Sequence, residues 1–146
     1  QPLLLDFGCQ VDGYRSDMTR TVFFGEPDAE ARRRYEAVSA AQQAAYEAVA
    51  VGVIGSEVDG VARHSLQANG LGEEFTHGLG HGIGLETHEE PKLATWRRPL
   101  EAGMVFSIEP GVYLPGEIGI RIEDDVVLEA AGPRRLTQSP RELLVL

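Results

Sequence analysis

The chain has 146 residues, 42% hydrophobic and 25% charged, with a net charge of −10. That length supports one domain, residues 1–146, with a sizeable core, and the acidic balance argues against nucleic acid as a partner, which needs a basic face. No apolar run reaches the length of a membrane span and no signal peptide is legible; the single Cys9 excludes an internal disulfide, which fits a reducing cytoplasm.

Residues 3–9 and 14–24 read as two strands joined by a tight turn over Gln10–Gly13, with Asp12-Gly13 as the turn signal. Gly25 and Pro27 close the hairpin. Residues 28–51 read as a helix, because Ala31, Tyr35, Val38, Ala41, Ala45 and Ala48 recur at helical spacing. Gly52 and Gly55 break it. A second helix is expected from Asp59 to Asn69, with Asp59 as N-cap and Gly70 as stop. His64 falls inside it and reads as a surface or packing residue.

The stretch HGLGHGIGLETHEEP covers His77 to Pro91. Its glycines would suit a phosphate-cradling loop, but no GK[ST] follows and the spacing is not that of a dinucleotide fingerprint. His77, His81 and His88 favour a catalytic loop, in which glycines would let the backbone approach bound metals. Leu100–Gly103 reads as a turn. Strands follow at 104–109, 112–114, 118–123 and 125–129, and SPRELLVL closes the chain as an edge segment.

Three carboxylates sit in apolar, strand-like surroundings: Asp6 in LLLDFG, Glu109 in VFSIEPG and Glu123 in IGIRIEDD. A bare carboxylate there costs several kcal/mol unless it is paired or holds a metal. Strand alternation places Asp17 beside Arg15 and Thr19, and Glu123 beside Arg121 and Asp125. Alone, Asp17 also reads as a strand-end charge paired with Arg15 or Arg20. Asp12 and Asp28 read as turn and helix-start residues. If sheet curvature joins these faces, the carboxylates converge as two divalent cations about 3.5–4 Å apart require, and His81 adds a nitrogen. The first hairpin with Asp6 and Asp17 and the late strands with Glu109 and Glu123 form a weak internal repeat. Two helices precede the late strands. A pseudo-symmetric domain would place another pair ahead of Gln1.

LLLDFGCQVDGYRSDMTRT, THGLGHGIGLETHEEP, LEAGMVFSIEPGVY and GIRIEDDVVL, in this order, resemble the metallopeptidases of the pita-bread fold, above all the Xaa-Pro aminopeptidases and Xaa-Pro dipeptidases (prolidases). The resemblance runs from Pro2 to the RELL tail. It implies an α+β fold, a curved antiparallel sheet with helices on its outer face. It also implies two divalent ions, manganese first among manganese, cobalt, zinc and iron given the oxygen-rich donors. Asp6 would hold one ion, Asp17 and Glu123 would bridge the pair, and His81 and Glu109 would hold the second. Glu109 would also shuttle a proton from the attacking water, whose hydroxide bridges the metals. His77 and His88 would bind substrate and stabilise the tetrahedral intermediate, Arg121 would orient a ligand carboxylate, and Tyr113 and Tyr14 would line or support the pocket.

The implied reaction is hydrolysis of the bond on the N-terminal side of proline in a peptide with proline second. The implied setting is a cytoplasmic homo-oligomer. Methionine aminopeptidases share GHGIG and HEEP and are the alternative, as is a non-catalytic peptide- or protein-binding module of the same fold. The family's catalytic domain begins well before LLLDFG, so the chain is expected to be an N-terminally incomplete part of it. It should then expose Leu3, Leu5, Phe7 or their neighbours and be poorly stable and weakly active or inactive alone.

Overall fold

The computed structural model describes residues 1–146. The chain opens with β1 (Pro2–Phe7), a small ribbon of β2 (Gln10–Val11) and β3 (Tyr14–Arg15), and β4 (Met18–Phe23). Two helices follow, α1 (Ala29–Ala48) and α2 (Gly55–Ala68). Beyond a long loop with one 3-10 turn at Leu93–Thr95 come β5 (Val105–Ile108), β6 (Gly111–Leu114), β7 (Ile118–Arg121), β8 (Asp124–Glu129), β9 (Gly132–Arg135) and β10 (Leu144–Val145).

The turn forms at Asp12-Gly13, where φ is 51° and 88° and Val11 pairs with Tyr14. Two positive φ values make the twist that a two-residue hairpin loop needs. The two expected strands do not run unbroken, however. A Cβ on Gly8 would lie 1.9 Å from the Ser16 carbonyl oxygen, and the Ser16 N–H donates to the Cys9 carbonyl at 2.9 Å. This pinch splits 14–24 into β3 and β4 and leaves Ser16 and Asp17 between them. The alternation that grouped Arg15 with Asp17 therefore fails, and Arg15 reaches the Leu85 carbonyl instead.

β1 pairs antiparallel with β4, which sets Asp6 opposite Thr19, and β10 joins the other side of β4 in parallel. β5 pairs with β8, β8 with β9, and β6 with β7, all antiparallel. β9 was not expected: its sequence, GPRR, has no apolar alternation, and its proline is tolerated at a sheet edge. Glu123 lies in the gap between β7 and β8 rather than within a strand.

Asp28 caps α1 by accepting from the Ala31 N–H at 2.7 Å. Gly55 opens α2 instead of breaking a helix, seated against Trp96, and Asp59 lies inside the helix rather than at its N-cap. Apolar residues of both helices, including Val38, Ala41, Val58 and Leu66, pack in one core with Phe106, Ile108, Ile120 and Leu128 of the late strands. The fully buried Asp124 ties β8 to β4, β9 and α1 through Arg20 at 2.6 Å, Arg135 at 3.1 Å and Gln42 at 3.0 Å, and Arg20 reaches on to the Ser139 and Pro140 carbonyls of the tail. The opposite side of β1 is bare: Leu3, Leu5 and Phe7 are 40%, 40% and 55% exposed. No helix is long and apolar enough to cross a membrane.

Candidate metal centre and cleft

The β1–β4 register and the pinch at Ser16 carry two carboxylates toward the β7–β8 gap. Thr19, opposite Asp6, donates its hydroxyl to Glu123 Oε2 at 2.5 Å. The Asp17 N–H donates to Asp125 Oδ2 at 2.9 Å. Residues 79–82 run beside β5: Glu109 N–H donates to the Leu79 carbonyl, and Ser107 N–H to the His81 carbonyl, each at 2.8 Å. Gly80 is required there, since a Cβ would lie 1.9 Å from the Ser107 carbonyl oxygen. The glycine at this point serves approach to a neighbouring strand, not approach to a metal.

Asp17, His81 and Glu123 each offer a ligand atom within 4.8 Å of the other two. Glu109 stands beside this triad, its Oε1 3.2 Å from His81 Nε2 and 3.0 Å from the Ser107 hydroxyl. Asp6 is outside it, ion-paired with Arg121. The Arg121 Nε is also 3.9 Å from both Glu109 Oε2 and Glu123 Oε2, and it donates to the Thr19 hydroxyl at 3.0 Å. One guanidinium thus faces three of the four carboxylates.

The electrostatics are those of a crowded acidic site. Burial, then the Glu109 carboxylate, pushes Glu123 up to about 8. Burial, then Asp6, raises Asp17. Burial alone would lower His81, but Glu109 and the Gly82 carbonyl carry it up to about 9. Asp125 is raised to about 6, mainly by burial, and its buried Oδ1 has no hydrogen-bond partner. Carboxylates and one imidazole, packed until they resist losing their protons, fit a divalent cation. His81 Nδ1 faces the Gly82 carbonyl at 3.0 Å and so carries a proton, which leaves Nε2 as the ligating nitrogen.

His81 of the triad lines a cleft of about 580 Å³ together with His77, His88, Lys92, Glu109 and Arg121. His88 meets His81 edge to face, ring centroids 4.1 Å apart. Tyr113 accepts from Arg121 Nη1 and lies 3.0 Å from His77 Nε2, while His77 Nδ1 is 2.8 Å from the Gly78 carbonyl. For a neutral imidazole this puts the His77 proton on Nδ1 and turns the Tyr113 hydroxyl proton toward Nε2. Tyr14 is 64% exposed on the ribbon and does not line the cleft. His64 is exposed on α2. Ser107 and Lys92 carried no sequence signal; Thr19 and Asp125 had been placed beside Asp17 and Glu123 but given no role.

Residues 1–130 match the family model described as metallopeptidase family M24. The chain is 50% identical over 145 residues to an Xaa-Pro dipeptidase of Lactobacillus delbrueckii subsp. lactis, covering 99% of this chain and 39% of that protein. It is 43% identical to the Xaa-Pro dipeptidase of Pyrococcus furiosus, covering 97% and 41%. Among solved structures, a dipeptidase from Pyrococcus horikoshii superposes with a TM-score of 0.97 at 45% identity, covering 99% of this chain and 41% of that one. An X-Pro aminopeptidase from Thermotoga maritima gives 0.96 at 44% identity, covering 99% and 42%. The chain thus spans about two fifths of the length of the relatives it matches, and its α+β pita-bread fold is theirs. The chain belongs to metallopeptidase family M24.

Proposed function

We propose that this chain carries the dinuclear metal centre of a peptidase that cleaves on the N-terminal side of proline, in Xaa-Pro dipeptides or in longer peptides with proline second. The observation that carries the reading is the convergence of Asp17, His81 and Glu123, with His81 also lining a cleft shared with Glu109, His77 and His88. The names of the similar proteins, Xaa-Pro dipeptidase and X-Pro aminopeptidase, support the substrate class.

Asp6, Asp17, His81, Glu109 and Glu123 would hold the two cations, with manganese favoured by an oxygen-rich set. When bound, such a pair polarises the scissile carbonyl and acidifies a water. Glu109 Oε1, already hydrogen-bonded by Ser107, would take that water's proton and return one to the departing proline nitrogen. His88, with neither nitrogen committed to a protein partner, is free to donate to the substrate carbonyl. His77 shares its Nε2 with Tyr113 and acts from within that hydrogen bond. Arg121 keeps the carboxylates from spreading apart.

Turnover of Ala-Pro against Met-Ala, each with manganese and with cobalt, tests the substrate class. Preference for Ala-Pro is expected. Preference for Met-Ala would transfer the chain to the methionine aminopeptidase reading.

A further inference from the structure

α2 carries a charged pair that plays no part in the site as described above. Asp59 and Arg63 are four residues apart, so they meet on one face of the helix. Arg63 Nε donates to Asp59 Oδ2 at 2.7 Å. A pair at this spacing on a helix surface needs no other partners. This one has three, all in residues 75–79. Asp59 Oδ1 accepts from the Leu79 N–H at 2.8 Å. Arg63 Nη1 donates to the Phe75 carbonyl at 3.1 Å, and Nη2 donates to the carbonyl of His77. The guanidinium also lies 4.4 Å from the centroid of the Phe75 ring, which packs edge to face against the His77 imidazole at 5.0 Å.

The Leu79 peptide extends this link to a second site residue. Its N–H is held by Asp59, and its carbonyl accepts from the Glu109 N–H at 2.8 Å. Asp59 is only 6% exposed, so its charge is committed to these partners rather than to water. Neither side chain lines the cleft.

We propose that Asp59 and Arg63 are a positioning couple. From the outer helix they fix the backbone on both sides of His77, so that its imidazole meets Tyr113, and through Leu79 they set the height of Glu109. The inference rests on the peptidase reading for its consequence in turnover, not for its geometry.

The test uses imidazole nitrogen resonances of the ¹⁵N-labelled chain, together with kinetics on Ala-Pro at saturating manganese. The parent shows His77 with its proton held on Nδ1. Arg63→Ala moves the His77 resonances toward those of an imidazole averaging its two tautomers, and Arg63→Lys moves them less. Asp59→Asn keeps the size and an oxygen for Leu79 but loses the charge; it stands in should the alanine variant not fold, as judged by its far-UV circular dichroism. In the folded variants kcat falls by about 10- to 100-fold, the scale of a misplaced catalytic group, while KM changes by less than about threefold. Arg63→Lys recovers part of the loss. His77 resonances unchanged in both Arg63→Ala and Asp59→Asn, or kcat within about twofold of the parent, would overturn the proposal. Should the parent hydrolyse neither Ala-Pro nor Met-Ala, the consequence in turnover falls away, and the resonances alone decide the positioning.

Discussion

Arg20→Met removes one end of the most buried ion pair in the chain. Arg20 spends all five of its N–H donors: Nε on the Pro140 carbonyl at 2.8 Å, Nη1 on the Thr19 and Glu123 carbonyls at 2.9 and 2.6 Å, and Nη2 on the Ser139 carbonyl and Asp124 Oδ1 at 2.9 and 2.6 Å. The substitution keeps most of the volume but takes a donor from four carbonyls, of which that of Thr19 still accepts from the Glu123 N–H at 3.1 Å, and takes a cation from a carboxylate with no exposure to water. Breaking a buried pair by removing one partner costs about 3–5 kcal/mol. Arg135, 3.1 Å from the same carboxylate, argues for the lower half of that range, and the lost donors to the Glu123, Ser139 and Pro140 carbonyls argue for the upper. At about 2–4 °C per kcal/mol, Tm falls by about 6–20 °C. Urea and thermal unfolding at pH 7 measure it, with Arg134→Met as control, whose exposed pair with Glu129 should contribute less than about 1 kcal/mol. Equal, small losses for the two variants would refute the argument that Arg20 clamps β4, β8 and the tail together.

In the metal-free chain, stability should fall as pH rises. His81 at about 9, against an ordinary 6.5, contributes stability that is complete below 6.5 and lost through 9; Glu123 at about 8, against 4.5, keeps a proton that the unfolded chain has released, so the folded state loses ground from 4.5 to 8. Metal binding must expel these same protons, so manganese affinity should climb over the same range; Tm and affinity that are flat from pH 5.5 to 8.5 would contradict both signs. Gly8→Ala should lower Tm and weaken metal binding together, because its Cβ would meet the Ser16 carbonyl at 1.9 Å and push Asp17 off its hydrogen bond to Asp125; unchanged calorimetry would show the pinch to be soft. Leu5→Lys with Phe7→Lys should raise the concentration at which the chain stays monodisperse in sedimentation, since both belong to an exposed apolar strip on β1.

Local chemistry was legible in the sequence; long-range contact was not. The Asp12-Gly13 turn, the alanine-spaced α1 and its Asp28 cap follow from residues near one another in the chain. The break before Asp17 does not, because it arises where Gly8 meets Ser16. Asp59 reads as an N-cap by its neighbours, yet the backbone N–H it accepts from is that of Leu79, twenty residues on. At the site, a carboxylate amid apolar residues marked Glu123 well, and it is 2% exposed. The same reasoning overstated the isolation of Asp6, whose side chain is 48% exposed and already paired with Arg121. Ser107, which bonds both the His81 N–H and Glu109, sits in VFSIEPG without any pattern to mark it.

The central claim is a two-cation centre built on these carboxylates. Its most direct test is the number of divalent ions that one chain binds, measured by calorimetric titration of manganese and elemental analysis of the dialysed protein, with Glu123→Gln in parallel. Two ions per chain are expected in the parent and fewer in the variant, with the fold of both intact by circular dichroism. A folded parent that binds one divalent ion, or none at stoichiometric level, would contradict that claim.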